Sequence, residues 1–424
     1  MDFLSFDLSV AVHRAHEASL QLARAKSQER NRALKIMSEM FKESQNAILE
    51  ANTLDLETSR EMAVPDIVIG WLKLTRERLQ TVVQILQHLA AMPDPLERIT
   101  MSSYQVNQYQ TYRQQVPLGV IAFIYEAFPE LAAIAAGICL KTGNSLILKG
   151  GNEASQSNSI IGQLLCAAIQ EADLPEGCLT PLPSGREAAI KDLVIQDQYI
   201  DLVIPYGRPS LIQQIVHQST VPVLRSVMGN CYLFWSASGS GEVARSMILD
   251  SHQGAPDPVN AIEKVLLHAN LNRSLLIVLW NSLREKGFEL RGDAELAAEF
   301  PDLKLAEPGE WKQPYLKKIV AFKVMDSLET AIAWINTHSS CHADCLVTES
   351  YRESRVFALE VDSAATYINA SPRFSRTLGN MGSSVALGMS NQKGRRRGAI
   401  DLEALMTTKN VIQGDGQFQS SINK

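Results

Sequence analysis

A predicted strand-to-helix junction contains the first residues that could bind a ligand. Residues 148–155 have the sequence LKGGNEAS. The first backbone N–H groups of a helix are free and the helix dipole favours an anion there, while Gly150 and Gly151 permit close approach of the backbone. Lys149 could contact a ribose or its phosphate, and Ser155 lies where the helix begins. The spacing is not G-x-G-x-x-G, so the segment predicts either a nucleotide-binding turn or a plain tight turn.

One dense basic cluster lies near the C-terminus, where residues 394–398 have the sequence GRRRG. The flanking glycines indicate a loop. Guanidinium groups bind phosphate and carboxylate groups through paired hydrogen bonds. The cluster therefore predicts either an anion-binding loop or a solvated surface loop.

Four residues of the metal-ligating types fall within eight positions: His338, Cys341, His342 and Cys345. Structural zinc sites usually join two separated pairs of ligands, whereas this cluster lies where a predicted helix runs into a strand. We expect no metal site. The G-x-S-x-G, Walker A, H-E-x-x-H and EF-hand patterns are absent from the sequence, which removes the commonest motif-defined hydrolases, P-loop NTPases and metalloproteases.

The composition is typical of a globular protein with a sizeable core. The 424 residues predict two or three domains, and 46% of them are hydrophobic and 20% charged. The formal net charge of -6 gives no electrostatic reason to bind nucleic acid or an anionic membrane surface. A small molecule or another protein is the expected partner.

No segment predicts a membrane anchor or an export signal. The longest uncharged apolar stretch, residues 131–140, is half of the ~20 residues that a membrane-spanning helix needs. The first seven residues carry acid where a secretory signal would carry base. We expect a cytoplasmic protein whose six cysteines remain thiols.

Strand-like and helical patterns alternate from residue 117 onward, which predicts the elements that position these residues. A continuous apolar strand at 120–125, a buried helix at 130–140 and a strand at 145–148 form one βαβ unit. Similar units continue to about residue 238, and a second series starts near Gly239. The prediction is an α/β protein with two lobes, each built on an open and mostly parallel sheet.

Two further segments complete this prediction. Residues 8–62 have apolar side chains at helical spacing and contain no Pro or Gly, which predicts a helical leader. Residues 104–116 interleave polar and aromatic side chains, which is typical of an exposed strand or hairpin. We expect this strand and the C-terminal tail to form a small appendage.

Phrases spread along nearly the whole chain resemble one enzyme family. They occur in one order: PLGVI at 117–121, YE at 125–126, LKTGN at 140–144, LKGG at 148–151, IDLVIP at 200–205, VPV at 221–223, VDSAA at 361–365 and INAS at 368–371. The sequence is similar to the γ-glutamyl phosphate reductases of the aldehyde dehydrogenase superfamily. The resemblance implies a cofactor-binding lobe (1–103 and 117–238), a catalytic lobe (239–393) and an oligomerisation hairpin with a tail (104–116 and 394–424).

The resemblance also implies a reaction. The family reduces L-glutamyl 5-phosphate with NADPH to glutamate 5-semialdehyde, in proline biosynthesis. A cysteine thiolate attacks the acyl group, phosphate leaves, and hydride reduces the thioester. The implied contacts to NADP are Lys149, Gly150, Gly151 and Ser155, and those to the substrate or its phosphate are Asn260 and Arg397.

At the implied reaction centre the sequence departs from this family. The family nucleophile directly precedes an Asn-Ala pair, and here Val259 precedes Asn260 and Ala261. The asparagine expected to help hold the oxyanion is Glu130, whose carboxylate would repel a developing negative charge.

Three further departures affect positions implied to contact the cofactor or the substrate. The family's Arg-Gly-Gly after the Ile-Pro strand end is Tyr206-Gly207-Arg208, the glutamate expected before Tyr315 is Pro314, and a C-terminal phrase keeps only an Arg-Gly core at 397–398. The scaffold phrases persist while the implied reaction centre is altered.

We therefore predict absent or very low reductase activity in a homo-oligomer. Cys231 is a possible substitute nucleophile, although its flanking residues indicate a buried structural thiol. The alternative is a non-catalytic paralogue that binds a nucleotide or a metabolite, or that regulates an active relative by joining it. A different reaction with Glu130 as acid or base is a third hypothesis.

Overall fold

Helices form the first ninety residues of the chain. The computed structural model describes residues 7–101, 110–184, 188–253, 258–376, 385–394 and 396–414, apart from the side chains at 188 and 189. The leader contains α1 (Leu8–Leu22), α2 (Ser27–Glu43), α3 (Gln45–Glu61), α4 (Asp66–Leu72) and α5 (Arg76–Ala91). Asp7 and Thr75 accept hydrogen bonds from the first turns of α1 and α5, which explains where these helices begin. The predicted leader is confirmed, and it is divided into separate helices.

The first sheet has four parallel strands and follows two short strands of the appendage. The elements in chain order are β1 (Ile99–Met101), β2 (Gln110–Pro117), β3 (Val120–Tyr125), α6 (Leu131–Lys141), β4 (Ser145–Gly150), α7 (Ser155–Glu171), β5 (Leu179–Pro181), α8 (Ala188–Leu193), β6 (Leu202–Tyr206) and α9 (Pro209–Gln218). The strand order is β5-β4-β3-β6. Every residue of β3 and β4 is buried, because helices cover both faces of the sheet.

The second sheet has seven strands. Its elements are β7 (Cys231–Trp235), α10 (Gly241–Ser251), β8 (Ile262–His268), α11 (Arg273–Glu285), β9 (Glu289–Gly292), α12 (Ala294–Glu299), β10 (Lys304–Leu305), β11 (Ile319–Met325), α13 (Leu328–His338), β12 (Asp344–Val347), α14 (Tyr351–Glu360) and β13 (Thr366–Ile368). All neighbouring strands are parallel, in the order β10-β9-β11-β8-β7-β12-β13.

The predicted lobe boundary at residue 238 is wrong. The strand β7 precedes that boundary, yet it pairs with β8 and β12 in the second sheet. Its five apolar residues would be buried equally well in either sheet, so its partners depend on packing between distant segments.

The C-terminal part of the chain returns to the first lobe. It contains β14 (Met389–Gln392), β15 (Arg396–Ala399) and β16 (Met406–Gln413). Val385, Leu387 and Met389 pack in the first-lobe core, so the assignment of residues up to 393 to the second lobe is also wrong. The strand β16 pairs along β2 over eight residues, with β1 on the other side of β2. Residues 104–109 and 415–424 of the predicted hairpin and tail lie outside the described residues.

The architecture is the predicted α/β fold of two lobes with parallel sheets and small antiparallel additions. No helix among the described residues is both long enough and apolar enough to cross a lipid bilayer.

Candidate functional site

A cleft of about 480 Å³ separates the two lobes. This volume lies within the range of roughly 300–1,000 Å³ typical of small-molecule sites. Its walls include Ile212 and Val216 of α9, Arg225 and Met228 of the first lobe, and Pro314, Ser340 and Asn391 on the opposite side. Gly207 and Pro314, which lie in two of the segments that depart from the family, therefore line one shared cleft.

Val259, at the implied nucleophile position, is buried beside this cleft. It lies in the turn before β8 with 1% of its surface exposed. Its side chain belongs to the first-lobe apolar cluster that also contains Phe128, Tyr206 and Met228. Its carbonyl oxygen accepts hydrogen bonds from the Gly229 N–H at 2.9 Å and from His342 Nε2 at 2.7 Å. The Val259 side chain thus packs in the first-lobe core, while its carbonyl oxygen is hydrogen-bonded to residues at the edge of the second lobe.

Asn260 uses its amide group inside the protein. Its Nδ2 donates to the Pro372 carbonyl at 2.8 Å, and its buried Oδ1 has no donor among the described residues. Asn260, the predicted substrate contact, is therefore hydrogen-bonded to residue 372, and its amide oxygen has no donor among the described residues.

Cys231 is a fully buried thiol at the start of β7. Burial raises its pKa well above the usual range for a thiol. Its Sγ lies 3.4 Å from Nε2 of His342, whose pKa burial lowers to about 4. Nε2 donates to the Val259 carbonyl, which can only accept, and Nδ1 lies 2.9 Å from Ser340 Oγ, so the ring positions the turn. The lowered pKa leaves this imidazole neutral near pH 7. The pair lacks the thiolate and imidazolium of an activated cysteine.

Glu130 forms a buried ion pair with Arg78 at the start of α6. The two side chains are 5% and 9% exposed, and Arg78 Nε lies 3.0 Å from Glu130 Oε1. The neighbouring Phe128 stacks on Trp71 with ring centroids 4.9 Å apart. The segment that should present an oxyanion donor instead packs against α4 and α5.

The junction at 148–155 is a strand followed by a helix, as predicted, but its polar groups have partners within the protein. Lys149 Nζ donates to the carbonyls of Pro183 and Ser184, both at 2.7 Å. The carboxylate of Asp55 accepts from the N–H groups of Gln156 and Ser157, at 2.9 and 2.8 Å. An internal carboxylate thus takes the anion position predicted where α7 begins.

The two glycines of this junction lie against side chains. A Cβ atom at Gly150 would collide with the Asn158 side chain, and one at Gly151 would collide with the Glu153 carboxylate. Their lack of a side chain is therefore explained by packing within the turn.

The carboxyl ends of β3 and β6 form a second crevice, which we call the β3–β6 crevice. Glu126 follows β3, Arg208 follows β6, and the two side chains pair across it. Arg208 Nε and Nη2 donate to Glu126 Oε1 at 2.9 and 2.6 Å, and the Arg208 backbone N–H donates to Oε2 at 3.0 Å. Nearby, Glu153 Oε1 accepts from the Ala127 N–H at 2.6 Å.

This arrangement does not fit a dinucleotide. An open α/β sheet binds the pyrophosphate of such a cofactor where the strand order reverses, through backbone N–H groups at helix starts. Here Asp55 already accepts from two N–H groups in the first turn of α7, and Glu126 accepts from the N–H of Arg208, the residue before α9.

Arg397 lies on β15 and pairs within the chain. Its Nη2 lies 2.8 Å from Asp362 Oδ1, and Lys393 also pairs with Asp362. Hydrogen bonding to Lys393 and Arg397 lowers the pKa of Asp362. Arg396 pairs with Asp401 and Glu403, whereas Arg395 lies outside the described residues. In the described part of the basic cluster, the arginines thus have carboxylate partners.

The sequence analysis missed Arg225, Ser340 and Asn391. Arg225 is exposed in the cleft and forms no ion pair with any described residue. Asn391 Nδ2 donates to the Ser340 carbonyl at 2.8 Å, while its buried Oδ1 has no donor among the residues described. Each of these residues is more than fifty positions from the other two, and no local motif marks them.

The side chains of His338, His342 and Cys345, considered above as possible metal ligands, lie in different surroundings. His338 stacks on Trp334 at 3.8 Å, Cys345 lies in the buried strand β12, and His342 binds the Val259 carbonyl. Within the described ranges, His, Cys, Asp and Glu side chains form no group of three that could hold a metal ion.

Comparison with known proteins agrees with the architecture. The aldehyde dehydrogenase family model matches residues 5–229. The chain is 53% identical to gamma-glutamyl phosphate reductase 2 of Synechocystis sp., over 95% of this chain and 96% of that protein. It is 40% identical to gamma-glutamyl phosphate reductase of Gloeobacter violaceus, over 97% and 98% of the two chains.

A solved structure extends this agreement to three dimensions. The crystal structure of gamma-glutamyl phosphate reductase from Thermotoga maritima superposes with a TM-score of 0.89 at 31% identity, over 98% of this chain and 100% of that chain. The shared sequence along both lobes and the shared fold identify this chain as a member of the γ-glutamyl phosphate reductases in the aldehyde dehydrogenase family.

Proposed function

We propose that this protein keeps the fold of a γ-glutamyl phosphate reductase and lacks the NADPH-dependent reduction of L-glutamyl 5-phosphate. The observation that carries the proposal is Val259, buried in an apolar cluster at the position of the family nucleophile. A valine side chain has no lone pair with which to attack an acyl group, so no thioester can form there.

The surroundings of Val259 support the same conclusion. Cys231 is fully buried and its pKa is raised, so it offers no thiolate as a substitute. Glu130 places a carboxylate at the implied oxyanion position, where negative charge is unfavourable. The Arg78 partner of that carboxylate gives it a structural role, which also counts against Glu130 as an acid or base.

The test is a dehydrogenase assay in the oxidative direction, with glutamate 5-semialdehyde, NADP and phosphate. A family member with cysteine before its Asn-Ala pair is the positive control. Loss of a member of a catalytic unit typically lowers the rate by roughly 10⁴–10⁶, and we expect a deficit of at least that order. A turnover of about 1–10³ s⁻¹ that Cys231→Ala abolishes would overturn the proposal.

A second candidate function is the binding of a small anionic metabolite in the inter-lobe cleft. The cleft is open, and its wall presents the guanidinium of Arg225, which forms no ion pair with any described residue. Calorimetry with inorganic phosphate and with L-glutamate should detect heat that Arg225→Gln removes. The matched control is Arg352→Gln, an exposed arginine on α14. Equal heats in all three proteins would exclude Arg225 as the anion site.

Assembly with a second chain, either another copy or an active relative, is supported by the appendage. Among the described residues, the strand β16 pairs with β2 on one side only, and most of its residues are exposed. Unpaired strand edges favour pairing with another chain. A catalytically inactive subunit could regulate an active relative through such an assembly.

A further inference from the structure

We infer that the Glu126–Arg208 ion pair closes the β3–β6 crevice and makes this protein discriminate against nicotinamide dinucleotides. The inference concerns binding, so it stands apart from the proposed loss of catalysis at Val259.

The topology locates the crevice. In the strand order β5-β4-β3-β6, β3 lies between β4 and β6. The chain adds β4 and β5 on one side of β3 and then adds β6 on the other side, so the strand order reverses at β3. Such a reversal opens a crevice beyond the carboxyl ends of the strands, and ligands of open α/β sheets bind there. The Glu126 N–H donates to the Tyr206 carbonyl at 2.9 Å, so the two strand ends are directly joined.

The ion pair bridges this crevice with four hydrogen bonds, one of them from Arg208 Nε to Glu126 Oε2 at 3.1 Å. Two guanidinium nitrogens of Arg208 donate to Glu126 Oε1, and the Arg208 N–H at the start of α9 donates to Oε2. The Glu126 side chain is only 12% exposed, whereas Arg208 is 41% exposed. The arginine therefore lies over the carboxylate, on the side from which a ligand would enter.

The charges around the crevice oppose a pyrophosphate. Glu153 lies next to the pair, and its pKa is raised by burial and by the nearby Glu126 carboxylate. The Ala127 N–H is already bonded to Glu153, as the Arg208 N–H is to Glu126. A pyrophosphate would have to displace a carboxylate from each N–H group and remain beside it, where like charges repel.

A phosphate would compete with Glu126 for Arg208, because the guanidinium Nε and Nη2 already donate to that carboxylate. Paired, charge-assisted hydrogen bonds of this geometry are among the stronger contacts in proteins. Releasing the arginine to a ligand would leave Glu126 unpaired in a mostly buried position, which is costly. The pair therefore favours the closed crevice over a bound dinucleotide.

The experiment measures NADPH binding by calorimetry and by cofactor fluorescence. The wild-type protein should bind NADPH no more tightly than about 1 mM. The double variant Glu126→Gln/Arg208→Ala removes the carboxylate charge and the guanidinium, and should bind at least ~10-fold more tightly. The matched control is Glu176→Gln/Arg14→Ala, which removes an exposed ion pair of the same lobe away from the crevice, and it should behave as wild type.

Three outcomes would overturn the inference: micromolar NADPH binding by the wild-type protein, equal weak binding by the folded double variant, or an equal gain in the control. Thermal unfolding of each variant shows whether it is folded. If the double variant does not fold, the NADPH affinity of the wild-type protein alone tests the inference. Reductase turnover in the wild-type protein would instead contradict the proposed loss of catalysis.

Discussion

Two side chains depart from the family at the implied reaction centre, and the packing around each of them accommodates the departure. Glu130 brings a carboxylate into a buried position, where an unpaired charge is unfavourable. Arg78 pairs with it and also donates to the Trp71 carbonyl. Val259 likewise lies within an apolar cluster. Both substituted residues are thus integrated into the folded structure.

Arg78→Met should destabilise the protein by about 3–5 kcal/mol, because it leaves the buried carboxylate of Glu130 without a partner. Urea unfolding at neutral pH measures the free energy of unfolding. The double variant Arg78→Met/Glu130→Leu should recover most of the loss, since it removes both charges. A single variant within ~1 kcal/mol of wild type would mean that the pair behaves like a surface salt bridge.

His342 should make the protein less stable in acid. Burial lowers its pKa to about 4 in the folded state, whereas the unfolded chain has a pKa of about 6.5. Between these values the unfolded state binds more protons, so stability is present above pH ~6.5 and is lost as the pH falls towards ~4. From pH 7 to pH 5 this loss should be about 2 kcal/mol.

His342→Gln removes this contribution and is compared with wild type by urea unfolding at both pH values. The comparison matters because burial raises the pKa of Asp344 to about 6, and this carboxyl titrates in the same range with the opposite sign. Identical pH dependence in the two proteins would contradict the assignment to His342.

Helices α7 and α9 both begin at a carboxylate of the same chain, which is the main feature at the scale of elements. Asp55 of α3 accepts from the first turn of α7, and Glu126 accepts from the N–H at the start of α9. These contacts provide acceptors for backbone N–H groups, and the negative carboxylates interact favourably with the positive ends of the helix dipoles. At α7 they also occupy two of the N–H groups that an external anion would use.

Asp55→Ala should weaken the start of α7 by about 1–2 kcal/mol, the usual effect of losing a helix cap. Hydrogen exchange should accelerate at the amides of Gln156 and Ser157. Asp55→Asn retains an acceptor and should lose less stability. Unchanged exchange at both amides in the alanine variant would show that Asp55 does not hold this helix.

At the scale of the whole molecule, the lobes are joined by segments that return from one to the other. Residues 385–389 pack in the first-lobe core, and β16 pairs with β2. In the part of the chain that the structure describes, the resulting three-stranded sheet leaves β16 with an open edge. This edge is the feature of the appendage that favours association.

Light scattering should report at least twice the monomer mass of 46.8 kDa. Deletion of the residues after Asn410 removes part of the open edge and should lower the measured mass. Unfolding of the truncated protein controls for loss of the fold. A monodisperse monomer of the full chain at micromolar concentration would count against assembly through this sheet.

The sequence was a good guide to local structure in the first lobe. The predicted strands at 120–125 and 145–148 and the helix between them are present, because their apolar patterns and flanking turn residues act over a few positions. The boundary at 238 failed because an apolar strand such as β7 does not encode its partners. The polar groups at 148–155 were identified, but not the Asp55 carboxylate, about a hundred positions earlier, that caps the helix.

The sequence by itself determined the α/β class, the family resemblance and the valine before Asn260, since these follow from residue types and their order. Only the tertiary structure decided that Val259 is buried, that Glu130 pairs with Arg78 and that Glu126 and Arg208 bridge the crevice. It also decided that Arg225 lies in the cleft with no ion pair to any described residue. The physical reason is the distance along the chain over which each property is determined. Periodicity reflects neighbours within a few residues, whereas burial and ion pairing depend on which distant segments the fold packs together.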